Sequence, residues 1–279
     1  MEKELIIILS VIGVLLLSLL VGLVMILYSV KPGKSSAAEK YRHVKFAHRG
    51  LHGEGVPENS MSAFIKARDA GFGIELDVQL SSDGKLVVFH DPTLERVCGI
   101  KGRVCDFTAE ELSGMKLMGA SDGIPTFGEV LREIDGAVPI LVEIKMDSQG
   151  APDERFIEEI RDYSGEVLAE SFHPLAVRTV KRRRPDIVRG ILSKPYKNEA
   201  EYKGKSGYAF LENLMTNFYC RPQFIAYERT GHANRTLRFI RRVWGTPLFA
   251  WTVRSEKEEE EALSFGYDTV IFEGYLPEK

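Results

Sequence analysis

Cysteine is scarce in this chain of 279 residues: Cys98, Cys105 and Cys220 are the full complement. The number is odd, and the spacing lacks the paired pattern of structural zinc sites, which argues against a disulfide scaffold or a cysteine zinc centre. Cys98 and Cys105 are near enough in sequence to pair, but three cysteines in so large a chain read as ordinary reduced thiols. A basic excess is also missing. With 37 Lys and Arg against 40 Asp and Glu the formal net charge is -3, and without a concentrated positive face nucleic acid is not an expected partner. Beyond residue 40 there is neither an internal repeat nor a low-complexity tract, so one globular domain is expected rather than an array of stacked units.

Charge is absent altogether from one stretch. From Leu5 to Val30 the chain runs for 26 residues without a charged side chain, and about 20 apolar residues suffice to span the hydrocarbon core of a bilayer. A cleaved signal peptide is the competing reading. Its apolar region would be about 7 to 15 residues long, after several positive charges and before a small-residue cleavage site; here the run is longer and is preceded by Met1-Glu2-Lys3-Glu4. Residues 1–30 are therefore expected to form a retained single-pass transmembrane helix in a cell membrane. Lys31, Lys34, Lys40, Arg42 and Lys45 follow it while Lys3 alone precedes it, and the positive-inside rule then places the following domain on the cytoplasmic face. Residues 31–40, with Pro32, Gly33 and the Ser35-Ser36-Ala37-Ala38 run, read as a polar linker. The domain proper is residues 41–279.

Within that domain, apolar runs of strand length occur at Val44–Ala47, Gly73–Leu80, Leu86–His90, Pro139–Ile144, Glu166–Phe172, Ile187–Leu192, Phe224–Tyr227, Leu248–Val253 and Thr269–Phe272. Helical patterns separate most of them, at Ser60–Ala70, Thr126–Ile134, Asp153–Arg161, Pro174–Arg184, Asn234–Val243 and Glu256–Phe265. Alternation of this kind implies an α/β fold with a parallel sheet. Nine candidates are one too many for an eight-stranded barrel. Ser81-Ser82-Asp83-Gly84 is a tight turn, however, and parallel neighbours need a crossover of about a dozen residues. Leu86–His90 must run back antiparallel as a hairpin arm on the second strand, which brings His90 roughly opposite Asp77. The expected fold is a TIM (β/α)8 barrel with that arm. Cys98–Asp122, poor in strand signals, forms a small excursion over the barrel mouth, containing a short helix with Thr108 as N-cap and Glu111 three positions on.

The chemistry-bearing residues gather at strand ends, where an α/β barrel presents its chemistry. Glu75 and Asp77 lie two apart in an extended strand and share a face. Two carboxylates on an inward face repel unless a cation or proton lies between them. Glu143 repeats the pattern of an acid in a buried apolar strand, and the three together suit one hard divalent cation, Ca²⁺ or Mg²⁺. The plainer alternative is a structural ion pair between Glu143 and Lys145. His48 and His90 end the first strand and the hairpin arm, and imidazoles on either side of a reacting group can supply base and acid. Arg49 offers a planar fork and Lys145 a point charge for phosphate oxygens. Trp251 is either an apolar wall of a binding pocket or a structural tryptophan. His43, His52, His173 and His232 make no comparable case.

The ordered series Phe46-Ala47-His48-Arg49-Gly50, Pro57-Glu58-Asn59-Ser60, Ile74-Glu75-Leu76-Asp77-Val78 and Val87-Val88-Phe89-His90-Asp91 resembles the glycerophosphodiester phosphodiesterases, whose members carry His-Arg-Gly, Glu-Asn-Thr, Glu-x-Asp and His-Asp in that order. The resemblance continues through Ile124-Pro125-Thr126-Phe127, Val142-Glu143-Ile144-Lys145, Ser171-Phe172 and Trp251-Thr252-Val253, covering residues 44 to 273. It implies a membrane-anchored member that hydrolyses glycerophosphodiesters to glycerol 3-phosphate and an alcohol. The metal would lie on Glu75, Asp77 and Glu143, with Glu58 and Asn59 close to it, and the aromatic at Trp251 would border the substrate. It also implies two steps, attack on phosphorus by the glycerol 2-hydroxyl and then opening of the cyclic phosphate by water, with the two histidines exchanging acid and base roles.

Two positions depart from the family pattern. Relatives commonly show Asn after Trp-Thr-Val and end in Ile-Ile-Thr-Asp, whereas here Arg254 follows Val253 and the last strand reads Val270-Ile271-Phe272-Glu273. Both changes fall on the late-strand side of the pocket and bear on substrate preference. A phospholipase D-type activity on membrane lysolipids is a rival function, made plausible by the anchor. A catalytically silent, membrane-tethered binding domain is a rival from another class, which has no need of an acid and a base together.

Overall fold

A computed structural model of the chain describes residues 2–146, 150–202, 205 and 207–278. Nine strands occur among the described residues: β1 Phe46–Ala47, β2 Gly73–Leu80, β3 Leu86–Val88, β4 Ile140–Ile144, β5 Val167–Ser171, β6 Val188–Ser193, β7 Phe224–Glu228, β8 Leu248–Val253 and β9 Thr269–Phe272. Eight of them pair in parallel in the ring β1-β2-β4-β5-β6-β7-β8-β9, which closes because β1 pairs with both β2 and β9. The helices Met61–Asp69, Phe127–Ile134, Pro152–Glu159, Pro174–Arg183, Arg235–Trp244 and Glu256–Ser264 form the outer layer. This is the TIM barrel the sequence implied. The crossover from β6 to β7, which carried no helical pattern, contains 3₁₀ turns and the short helices Gly207–Glu212 and Asn217–Cys220.

The closed ring sorts side chains by the two-residue period of its strands. Inward-facing positions are apolar near the base and polar near the mouth: Phe46 then His48 at β1, Leu141 then Glu143 on β4, Leu168 then Glu170 on β5, Ile271 then Glu273 at β9. The lower interior is filled by stacked rings, Phe249 lying 5.9 Å from Phe46 and 4.4 Å from Phe224 between centroids. Outward-facing residues such as Ile74, Leu76, Val78, Ile140 and Val142 pack under the helices in a second, larger core.

The hairpin arm is present, antiparallel to β2 with Val78 opposite Val88 and Leu80 opposite Leu86. Its register differs by one residue from the expectation, since the Phe89 N–H donates to the Asp77 carbonyl at 3.0 Å and it is Phe89, not His90, that lies opposite Asp77. His90 reaches the mouth because the ladder ends at Val88 and the buried Gln79 amide donates to the carbonyls of both Phe89 and Asp91, at 2.8 Å each. The excursion that follows carries its own apolar cluster of Val87, Phe89, Leu94, Val97, Val104, Leu112, Leu117 and Ile124. Its helix Ala109–Ser113 has the expected reciprocal cap between Thr108 and Glu111. Cys98, Cys105 and Cys220 are free thiols.

The N-terminal helix Glu2–Val30 has 29 residues, is exposed along its apolar length, and is long and apolar enough to cross a membrane. At 1.5 Å per residue it extends about 43 Å. It meets the barrel at its last turn: the Asn217 amide donates to the Val30 carbonyl at 3.0 Å, and Tyr28 packs on Phe218. The stretch read as a linker is docked on the barrel base. The Gly33 N–H donates to the Pro222 carbonyl, and a Cβ at Gly33 would lie 2.6 Å from the Arg221 carbonyl oxygen, so the approach needs glycine. Ala38 and Tyr41 then enter the inner cluster with Phe46 and close the barrel from below.

Truncating Phe249, which is stacked between two rings and fully buried, should leave a cavity that the closed ring cannot collapse. Phe249→Ala is expected to cost about 3–5 kcal/mol, measured as a lower urea midpoint with an unchanged slope; a change below about 1 kcal/mol would mean that the interior repacks freely.

Candidate active site

β2 and β4 run side by side with Asp77 opposite Glu143, and the shared inward face brings Glu75, Asp77 and Glu143 together with ligand oxygens all within 4.8 Å of one another. All three are buried. Burial, with the neighbouring Asp77 and Glu143 charges, raises the Glu75 pKa well above the usual carboxylate range. Burial also pushes Glu143 up to about 7, with Lys145 opposing and Asp77 adding to the rise. Asp77 goes the other way: burial disfavours its charge, but Lys145, His90 and Arg49, with the Asn59 amide, hold it well below the usual range. The Lys145 ammonium lies 2.9 Å from Asp77 Oδ1 and 2.8 Å from Glu143 Oε1. The ion pair that was the plainer alternative for Glu143 is therefore present within the acid cluster. These are all-oxygen donors in a buried, under-compensated set, with a cation already drawn into it. The residues fit a hard divalent cation.

Both predicted histidines open on the same pocket, and each is held through Nδ1 by a carboxylate. His48 Nδ1 lies 2.6 Å from Glu273 Oε2, leaving Nε2 directed inward, 4.0 Å from Glu75 Oε2. His90 Nδ1 lies 2.6 Å from Asp91 Oδ1. A neutral imidazole donating Nδ1–H to a carboxylate presents its Nε2 lone pair to a substrate. Burial lowers the pKa of each ring, Glu273 opposing at His48 and Asp77 at His90. Glu273 is itself held below its usual range despite burial, by His48, His52 and Arg254.

Arg49 and the Glu58-Asn59 pair tie the first loop to the acids. The Arg49 N–H donates to Glu75 Oε2 at 2.9 Å, its guanidinium donates to Glu58 Oε1 at 2.7 Å, and its Nε lies 3.5 Å from Asp77. The Asn59 amide donates to Asp77 Oδ2 at 2.9 Å, so Asn59 orients a carboxylate from outside the cluster. Glu58 has its oxygens engaged by two guanidinium groups, Arg49 and Arg96. Arg96 in turn donates to Asp91, which closes a chain from His90 through Asp91, Arg96 and Glu58 to Arg49. Gly50 lets this loop lie on the helix behind it: φ is +79° and a Cβ would meet Ala63 at 2.8 Å.

The pocket enclosed has a volume of about 200 Å³ and is lined by His48, Arg49, Glu75, His90, Glu143, Glu170, Phe172, Trp251 and Arg254 among others. Trp251 meets Phe172 edge to face at 5.4 Å, forming the apolar wall. A second lobe of about 350 Å³, reached past Glu143, Lys145 and Phe172, continues towards Lys194 and Tyr196.

Three residues that sequence reasoning passed over bear on this pocket, Glu170 as part of its lining and Glu273 and Arg96 through the side chains they hold. Glu170 is buried, aligned with Glu143 across β4 and β5, and has an unpartnered Oε2; burial and the neighbouring acids raise its pKa well above normal. An acid inside an apolar strand was the signal used for Glu143, and it marks Glu170 equally. Glu273 was noted as a departure rather than as the partner of His48, and it also binds the other departure, Arg254, at 2.6 Å. Arg96 had no sequence signal. His52 comes within 3.7 Å of Glu273.

The family model described as the glycerophosphoryl diester phosphodiesterase family matches residues 48–274. A glycerophosphodiester phosphodiesterase of Caldanaerobacter subterraneus subsp. tengcongensis is 32% identical over 243 residues, spanning 81% of this chain and 91% of that protein. An Oleispira antarctica phosphodiesterase, solved in complex with the product sn-glycerol-3-phosphate, superposes with a TM-score of 0.69 at 22% identity, covering 84% of this chain and 94% of that one. A solved glycerophosphodiester phosphodiesterase from Thermotoga maritima gives 0.61 at 26% identity, covering 82% and 94%. The chain belongs to the glycerophosphoryl diester phosphodiesterase family and is an enzyme that hydrolyses phosphodiesters of this class.

Proposed function

We propose that the enzyme converts water-soluble glycerophosphodiesters to glycerol 3-phosphate and an alcohol, with His48 and His90 as acid and base and one Ca²⁺ or Mg²⁺ held by Glu75, Asp77 and Glu143. The observation that carries this is the pair of imidazoles, each fixed at Nδ1 by its own carboxylate, opening on one pocket with three clustered acids. The product-bound relative from Oleispira antarctica supports the same substrate class. When bound, the cation supplies positive charge to the phosphoryl oxygens as negative charge builds on them.

The protein's own groups do the rest. Arg49 and Lys145 face the same oxygens and neutralise them most strongly in the transition state. In the first step one imidazole takes the proton of the glycerol 2-hydroxyl as that oxygen bonds to phosphorus, and the other delivers a proton to the departing alkoxide. In the second, water attacks the cyclic phosphate and the two rings exchange roles. Trp251 and Phe172 exclude water from the glycerol carbons, and the lobe beyond Phe172 receives the alcohol portion.

We read the apolar helix as a retained single-pass anchor, with the domain on the cytoplasmic face as the following Lys and Arg residues favour. The lysolipid alternative is weakened by where that helix joins, at the base of the barrel and at the opposite end from the pocket. A silent tether would have no use for two oriented imidazoles.

His48→Ala and His90→Ala should each lower kcat by about 10²- to 10⁴-fold with the melting curve unchanged, read as glycerol 3-phosphate release; near-wild-type turnover in either sinks the assignment. Treatment with EDTA should abolish release, and added Ca²⁺ or Mg²⁺ should restore it. Glu273→Gln keeps an acceptor for His48 Nδ1–H but removes the charge that raises this ring's pKa. The limb of the kcat/KM profile that His48 sets, the acid limb if it is the base and the basic limb if it is the acid, should therefore move to lower pH as kcat falls, whereas two unshifted limbs would mean that His48 titrates independently of Glu273.

A further inference from the structure

The end of the barrel opposite the pocket carries a charge pattern that the chemistry does not use. The helix Pro174–Arg183 runs from mouth to base and finishes in Lys181-Arg182-Arg183. Arg189 opens β6, Arg221 closes the short helix before β7, and Lys31 and Lys34 follow the apolar helix directly. Arg178, Lys181, Arg189 and Arg221 meet near the point where that helix ends. Arg221 Nη1 donates to the Lys31 carbonyl at 2.8 Å, and its guanidinium lies 4.6 Å from the Tyr28 ring. Arg178 covers Tyr219 at 4.0 Å. Lys181 is surrounded by Arg189, Arg221 and Arg178, and its pKa is lowered, by burial first and then by these like charges. Arg189 is 7% exposed, and its Nε lacks a hydrogen-bond partner.

Arg183 has a counter-charge in Glu154, and the other acids at this end are occupied elsewhere: Glu39 by Arg42, Glu166 by Lys40, Asp186 by Arg184, and Asp268 by Arg42 and Arg241. Among the described residues no carboxylate lies within ion-pair distance of Lys31, Lys34, Arg178, Lys181, Arg189 or Arg221. Cations crowded without counter-charge repel one another, and the crowding is relieved when negative charge arrives from outside. We propose that the base of the barrel is a bilayer-facing surface that binds anionic phospholipid headgroups around the apolar helix. It rests on the membrane-anchor reading given above, and the two features reinforce each other. The apolar helix leaves from the middle of the basic surface, and clusters of Lys and Arg beside a membrane segment are attracted to anionic leaflets. Seated in this way, the enzyme turns its mouth to the aqueous phase. Its substrate is then a fully deacylated diester, supplied by a reaction that hydrolyses both acyl esters of a phospholipid.

The test is hydrogen exchange on the full-length protein in nanodiscs of phosphatidylcholine with and without phosphatidylglycerol. With phosphatidylglycerol present, segments 174–184 and 217–223 should exchange about fivefold more slowly, the excursion over the mouth should be unaffected, and high salt should abolish the difference. Lys181→Glu combined with Arg182→Glu should remove the protection while leaving hydrolysis of a soluble glycerophosphodiester intact, which also verifies folding. Equal exchange in the two lipid compositions, or protection at the mouth instead of the base, would overturn the proposal. Hydrolysis measured on the same samples reads the active site separately, so its failure would refute the catalytic reading and not the membrane surface.

Discussion

Four carboxylates share the upper interior of one small barrel, and their mutual repulsion organises what surrounds them. Glu75, Asp77, Glu143 and Glu170 project inward from three neighbouring strands, where little water reaches them, and buried like charges persist only when compensated. Lys145 and Arg49 supply two positive charges against these four acids. The shortfall of two matches one divalent cation. The same shortage accounts for the divided titration of the set, with Asp77 kept ionised by its basic neighbours and the glutamates driven towards their neutral forms.

Around that centre the chain uses side chains from distant parts of the sequence as cross-braces. β1 and β9 are joined at the mouth by His48 and Glu273; β2 is joined to the loop before the first outer helix by Asp77 and Asn59; the excursion reaches the same loop through Arg96 and Glu58. Each brace fixes the orientation of a group proposed to touch substrate or metal, as supporting hydrogen bonds do in preorganised sites. The braces also explain how strands only two or four residues long, such as β1 and β9, can present side chains in a defined direction.

The architecture was largely legible because barrel strands alternate strictly. The two-residue period put Glu75 and Asp77 on one face, an acid inside an apolar run singled out Glu143, and the tight turn at Ser81–Gly84 separated the hairpin arm from the ring. What escaped followed from interactions that a linear pattern does not carry. The register of His90 depends on the Gln79 amide, a contact across the hairpin. Residues 31–40 look like a polar linker in composition, yet their backbone is bound by Arg221, Pro222 and Gln223 from far along the chain. The stretch between β6 and β7 has short helices without a long apolar stripe, so periodicity had little to register. Arg96 and Glu273 act through partners that only the closed barrel brings near.

The excursion after the hairpin has its own apolar nucleus, packed on β3. Among the described residues Arg96, just before it, bonds Asp91 and Glu58, and Asp122 at its end accepts from Ser62 on the first outer helix. Any change that moves Arg96 is felt at both His90, through Asp91, and Arg49, through Glu58. A residue that lies outside the pocket lining thus sets the bearing of two side chains inside it, so the hairpin's far end governs the mouth by leverage rather than by contact.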